Sequence, residues 1–407
     1  MALFSLNARL GWLVFFACVV LTNHHLLMLF ESVSILFYPN GSLRTIPFFT
    51  LFYSDNSALS LLFVCCGYAL TERYMAIRSS FLNDAKAIVL SLLKLLLFLI
   101  VTTYLVLFLC WVLNYTGGLF VTNDSFSLVN EAWPALFPGD DSVGLFQLLS
   151  IAFFDVPWLG IGYINYPLWS LNVFVNAGLF LMAFLLFIGR MNNSSWRFLT
   201  LGAFTIFTLL GVTRGLLITG QIHLPLTPDP YGGFFLGAFV YFLRGKTFSS
   251  PAFNRYALPV IFVAGLWLLA FSVTMRLHPI YFPFHSFVIS PFSQYAINSV
   301  GAGLIIFFFD HWKSSLSVAV PKILHLLKDA TFSLYLSHFL VIVSLTSFLY
   351  QLQLFNNDAL NAFFAMGVSY PFIFILAYGF ESIAGTSFYI SLFKPATSTQ
   401  NDTGETP

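Results

Sequence analysis

Charge is what this chain has least of. Only 8% of its 407 residues are Asp, Glu, Lys or Arg, against about 25% in an ordinary soluble domain. That scarcity excludes a water-facing surface over most of the chain. The net charge of +1 also excludes the strong basic field with which proteins meet nucleic acid. Cysteine is scarce as well. Cys18, Cys65, Cys66 and Cys110 all lie in apolar stretches, without disulfide or metal-ligand spacing. They read as small core residues, and no metal is expected. No GxSxG elbow, Walker loop, CxxC or HExxH sequence occurs, so any active site must be assembled from separate segments. There is no internal repeat and no second soluble domain.

What the chain has instead is apolar length. Hydrophobic residues make up 58% of it, and 51 residues are Phe. Ten runs are long enough to read as membrane spans, near 10–30, 57–75, 87–113, 168–189, 198–219, 230–244, 256–275, 291–309, 331–350 and 359–381. The expected fold is an all-α polytopic membrane bundle of about ten helices, over residues 1–395. The first helix reads as a retained anchor, since the run after Arg9 is too long for a signal peptide. The sixth run is short and carries Gly232, Gly233 and Gly237, so a short or broken helix is expected there. An even count puts both termini on one side. With that side cytoplasmic, thirteen of the 17 basic residues fall inside, and only Arg44, Arg214 and Arg276 fall outside, as the positive-inside rule requires. The loop 114–167 then lies outside, and the polar tail 396–407 reads as disordered.

Ionisable groups inside apolar runs are costly and point to function. In span one, RLGWLVFFACVVLTNHHLLMLF, the adjacent His24 and His25 lie within the run, about 21 Å of helical rise beyond Arg9. Histidine is the usual general base near neutral pH. The two side chains point about 100° apart, so one of them is expected to face the interior. Arg214 falls in the outer part of span five, where it either holds an acidic or carbonyl oxygen or snorkels to the interface. His223, Arg276, His278 and His285 follow in outer loops and read as solvated. On the cytoplasmic side, Arg73 and Arg78 follow span two, and Lys86 and Lys94 lie about 12 Å apart along span three. A basic ladder graded into the membrane suits a phosphate-bearing ligand entering from the cytoplasm. His338 in span nine and Glu381 at the end of span ten are further candidates for pairing between helices.

Several stretches together resemble the acyltransferase-3 family of integral membrane O-acyltransferases. VVLTNHHLL resembles its first-helix segment ending in histidine, and ALSLLFVCCGYAL its aromatic second helix. INYPLWSLNVF resembles its Pro-x-Trp-Ser-Leu signature, through Pro167, Trp169, Ser170 and Leu171. YGGFFLGAFVYFLRG resembles a later glycine-containing helix. FSLYLSHFLV resembles its Ser-x-Tyr-Leu-x-His segment, through Ser333, Tyr335, Leu336 and His338. LAYGFES resembles its last helix, with Glu381 in the acidic place. These pieces occur in family order over most of the chain. The chain departs from the family in three places, one being the basic motif of the third helix, reduced here to Lys86 and Lys94. Arg9 stands 15 residues before His24 rather than eleven before the histidine, and Phe174 stands where the family has Glu.

The resemblance implies an enzyme of the bacterial inner membrane that moves an acyl group, expected to be acetyl, from acetyl-CoA to a hydroxyl of an extracytoplasmic sugar. The acceptor would be a surface glycan or lipid-linked saccharide. Coenzyme phosphates would meet Arg73, Arg78, Lys86 and Lys94. His24 or His25 would be the base and Arg214 the oxyanion partner. The competing expectation is a transporter or flippase of a lipid-linked or acidic solute, suited by a broken sixth helix and by Lys94 inside span three.

Overall fold

Backbone amides inside a bilayer must be satisfied within their own segment, which leaves apolar runs of this length no choice but helix. In the computed structural model every regular element among the described residues is helical, with no strand. The structure describes residues 8–30, 49–77, 81–118, 149–153, 169–209, 228–244, 250, 252–271, 291–312, 326 and 330–382.

The helices are α1 (Ala8–Leu29), α2 (Asp55–Ile77), α3 (Phe81–Tyr115), α4 (Trp169–Ile188), α5 (Ser194–Leu209), α6 (Pro228–Arg244), α7 (Leu258–Leu269) and α8 (Pro291–His311). Helix α9 (Thr331–Val341) runs through a π turn (Ile342–Thr346) into α10 (Ser347–Gln351), and α11 (Asp358–Glu381) follows. Four stretches among the described residues are long and apolar enough to cross a membrane: Leu10–Leu27, Ser170–Ile188, Thr331–Gln351 and Asp358–Glu381. The chain is a membrane-embedded helix bundle.

Helix α2 organises it. It packs against α1, α4, α6 and α8, and every residue from Ser57 to Cys65 is buried. That position explains its sequence. A helix walled off from lipid by its neighbours tolerates Ser57, Ser60 and Thr71, and it is the least apolar of the long ones. Outer helices show the reverse pattern. Their exposed residues are large and apolar, such as Phe180 and Phe187 on α4, Val260 and Val263 on α7, and Phe363 and Ile375 on α11. An exterior of that chemistry suits hydrocarbon, not water.

The sixth apolar run is short, as expected, but it is not broken. Helix α6 is continuous over 17 residues, and its glycines serve packing. Gly233 and Gly237 are four residues apart, the spacing that lets two membrane helices approach backbone to backbone. A Cβ on Gly237 would overlap the Val64 carbonyl oxygen on α2, and one on Gly67 would overlap the Phe234 carbonyl oxygen on α6. Helices α7 and α8 meet in the same way, since a Cβ on Gly301 would lie 2.5 Å from the Leu269 amide nitrogen.

The cysteines Cys18, Cys65 and Cys110 are buried and unbridged, with Cys66 partly covered, in keeping with a core role. The tail 396–407 and most of the loop 114–167 lie outside the described residues.

Candidate functional site

Adjacent residues on α1 turn in different directions. Asn23 Nδ2 donates to the Phe52 carbonyl at 3.0 Å, and His24 Nδ1 donates to the Tyr53 carbonyl at 2.9 Å. Both therefore grip the short 3₁₀ turn Phe49–Phe52 and the residue after it. The other His24 nitrogen lies 3.9 Å from Asp55 Oδ2, at the start of α2. One helical step later, about 100° around, His25 faces α9 instead. Its Nδ1 lies 2.8 Å from Nε2 of His338.

That contact is an in-plane hydrogen bond. The ring planes differ by only 15° and the centroids are 5.0 Å apart. This exceeds the N···N distance by 2.2 Å, one centroid-to-nitrogen radius on each ring, so the nitrogens lie on the line between centroids. Two rings stacked face to face would lack that alignment. His338 is fully buried, and its Nδ1 lies 3.1 Å from the Leu334 carbonyl one turn back on α9. Phe339 closes one side with its edge, 6.0 Å from the His25 ring.

The pairing was not visible from helix depth. His25 is 17 residues from the start of α1 and His338 seven from the start of α9. At 1.5 Å per residue these positions differ by about 15 Å along their helices. Counting from the helix starts therefore does not predict the contact.

On α9 the polar row continues one turn from His338. The Tyr335 ring lies 6.2 Å from that of His338, and its hydroxyl is hydrogen-bonded to Ser170 at the start of α4. Both are buried. Phe174, one turn further along α4, packs on Tyr335 at 6.4 Å. The non-acidic residue in the signature thus lies against the same tyrosine. At the other end of α9, Ser333 donates to Glu381 of α11 at 2.9 Å. Beyond His338 comes the π turn, whose widened carbonyls are met by hydroxyls. Thr346 donates to Val341 at 3.2 Å, and Ser347 to Ile342 at 3.0 Å. Such turns are often found at functional sites.

The structure therefore brings together His25, His338, Tyr335 and Ser170, from α1, α9 and α4, and sets His24 aside as a tether. It places Glu381 of α11 at the opposite end of α9, against Ser333. Lys86 is exposed on α3. The backbones of Arg73, Lys94 and Trp169 are helical, but their side chains lie outside what is described. Arg78, Arg214, His223, Arg276, His278 and His285 lie outside the described residues altogether.

A second polar cluster was missed from sequence. Tyr68 on α2 donates to both oxygens of Asp310 on α8, at 2.8 and 2.7 Å. Arg244 at the end of α6 donates to Tyr68 at 3.3 Å and to Glu72 at 2.9 Å, and its Nε lies 3.9 Å from Asp310. The Asp310 side chain is 3% exposed and that of Arg244 44%. The available signal was a lone acid closing the apolar run IIFFFD and a lone arginine closing α6. Among the described residues no group of three or more His, Cys, Asp or Glu could hold a metal ion.

Comparison with family models, with curated proteins and with solved structures finds no match for the chain.

Proposed function

We propose that the chain is a membrane O-acyltransferase with ten spans and both termini cytoplasmic, moving an acyl group from cytoplasmic acetyl-CoA to a sugar hydroxyl on the other side. The observation that carries this reading is the half-buried His25–His338 hydrogen bond, between two helices whose sequences both resemble histidine segments of the acyltransferase-3 family. An imidazole pair with one ring fully buried and the other half-buried is costly in apolar surroundings, and proton transfer is the commonest chemistry that repays it. In this reading His25 is the base that activates the acceptor hydroxyl. His24, held by Tyr53 and Asp55, orients the helix. Arg73, Arg78, Lys86 and Lys94 receive the coenzyme phosphates from the cytoplasm, and Arg214 stabilises the oxyanion. The acceptor is a surface glycan or lipid-linked saccharide, and the location is a bacterial inner membrane.

The transporter reading drew on a broken sixth helix and on Lys94 inside span three. With α6 continuous, its remaining support is Lys94. Calorimetry with acetyl-CoA on the detergent-purified protein separates the two. The acyltransferase reading expects binding that Lys86→Ala/Lys94→Ala weakens. A folded protein that shows no acetyl-CoA binding favours transport.

A further inference from the structure

A neutral imidazole carries one N–H and one lone pair, and its hydrogen-bond partners decide which nitrogen has which. A backbone carbonyl can only accept. The Leu334 oxygen lies 3.1 Å from His338 Nδ1, so that nitrogen carries the hydrogen, and the lone pair of neutral His338 falls on Nε2. That nitrogen faces His25 Nδ1 at 2.8 Å. With a lone pair on one side of the contact, the hydrogen belongs to the other, so His25 is the Nδ1–H form and its lone pair is on Nε2. One carbonyl on α9 thus sets the tautomers of two histidines in series. The small angle between the rings keeps lone pair and N–H in line, as a strong hydrogen bond requires.

We infer that His338 is a positioning residue, which holds His25 in the Nδ1–H form so that Nε2 is the nitrogen that takes a proton from the acceptor hydroxyl. Naming that hydroxyl rests on the acyl-transfer reading, whereas the tautomer lock does not. In the transfer step, Nε2 takes the hydroxyl proton as the alkoxide oxygen bonds to the thioester carbon. The carbonyl electron pair moves to its oxygen and then returns, which breaks the C–S bond. The departing thiolate takes the proton from Nε2. The ester and the free thiol are formed, and His25 is neutral again. While His25 is charged, its Nδ1–H donates to His338 as a charge-assisted bond, about twice as strong as a neutral one. Among the described residues, the groups around the pair include His24, with its ring 5.4 Å from that of His25, Asp55 beyond it, and Tyr335 beside His338.

The test is side-chain nitrogen NMR of the full-length protein in detergent with ¹⁵N-labelled histidine, the His25 signals being identified by their loss in His25→Asn. The lock expects the Nδ1–H form in the wild type and in His338→Gln, whose amide oxygen still accepts from Nδ1. It expects a mixed or Nε2–H form in His338→Phe. A wild-type His25 found mainly as Nε2–H overturns the inference without any variant, so misfolding of His338→Phe cannot shelter it. An unchanged Nδ1–H form in folded His338→Phe overturns it too. Transfer of radiolabel from acetyl-CoA is measured alongside. His338→Phe should fall about 100-fold or more, the range of lost acid–base catalysis, and His338→Gln should recover at least about tenfold of that loss. The expected tautomers without any label transfer leave the lock standing and remove the acyltransferase reading. Label transfer with tautomers indifferent to position 338 does the opposite.

Discussion

The network of Tyr68, Glu72, Arg244 and Asp310 should hold three helices together, and its strength can be worked out from its geometry. Tyr68→Phe removes the one hydroxyl that donates to both Asp310 oxygens, at 2.8 and 2.7 Å. Asp310 is 3% exposed, so water cannot replace that donor. Hydrogen bonds to charged groups contribute about 1.5–3 kcal/mol. Arg244 Nε, 3.9 Å away, still faces the carboxylate, so the loss should sit in the lower half, about 2 kcal/mol. Asp310→Ala strands no buried charge, because Arg244 is 44% exposed and keeps Glu72. Its cost should fall below the 3–5 kcal/mol of a broken buried pair, again about 2 kcal/mol. The double variant should lose less than both losses together by about 1 kcal/mol or more, since both single changes remove the same contact. The assay is equilibrium unfolding of the detergent-solubilised protein, followed by circular dichroism, for wild type, two singles and the double. Losses that add to within about 0.3–0.5 kcal/mol, the behaviour of independent sites, would refute the network.

Glycine substitutions should separate packing from helix propensity. Gly237→Ala places a methyl against the α2 backbone, which no rotamer can relieve, and should cost about 3 kcal/mol. Gly367→Ala, with nothing within 4 Å, should be neutral or stabilising by up to about 1 kcal/mol. The same unfolding assay reads both. The two neighbouring histidines should differ in kind. His25→Ala should abolish acyl transfer in membranes with unchanged protein level. His24→Ala should retain transfer and lose about 1 kcal/mol of stability, one hydrogen bond to the Tyr53 carbonyl. Reporter fusions at Met1 and Pro407 should both report the cytoplasmic side, and an extracytoplasmic report from either would contradict the proposed topology.

Much of the bundle was legible in the sequence, because hydrocarbon leaves helices as the only outlet for uncharged runs. Partnerships between helices were less legible, for physical reasons. Residue counting gives depth along one helix but not the offset between two, so the pairing of His25 with His338 was not read from the sequence. Glycines in the sixth run signal either a break or a close crossing, and only the placement of Val64 and Tyr68 opposite Gly237 decides for the crossing. The hydroxyls of α2 fit a helix buried among its neighbours, where they are shielded from lipid. Asp310 and Arg244 each closed an apolar run on what the charge pattern makes the same face. Their union with Tyr68 could have been guessed, but nothing in their spacing required it. The choice between His24 and His25 had to wait for the 3₁₀ turn that captures His24.

The central claim is that His25 acts as a base in acyl transfer across the membrane. Membranes containing the protein should be incubated with radiolabelled acetyl-CoA and the extracytoplasmic saccharide fraction collected. Label should appear in that fraction with the wild type, and not with His25→Ala present at equal amount. Equal labelling by the two, or no labelling by a wild-type protein shown to be folded and inserted, would contradict it.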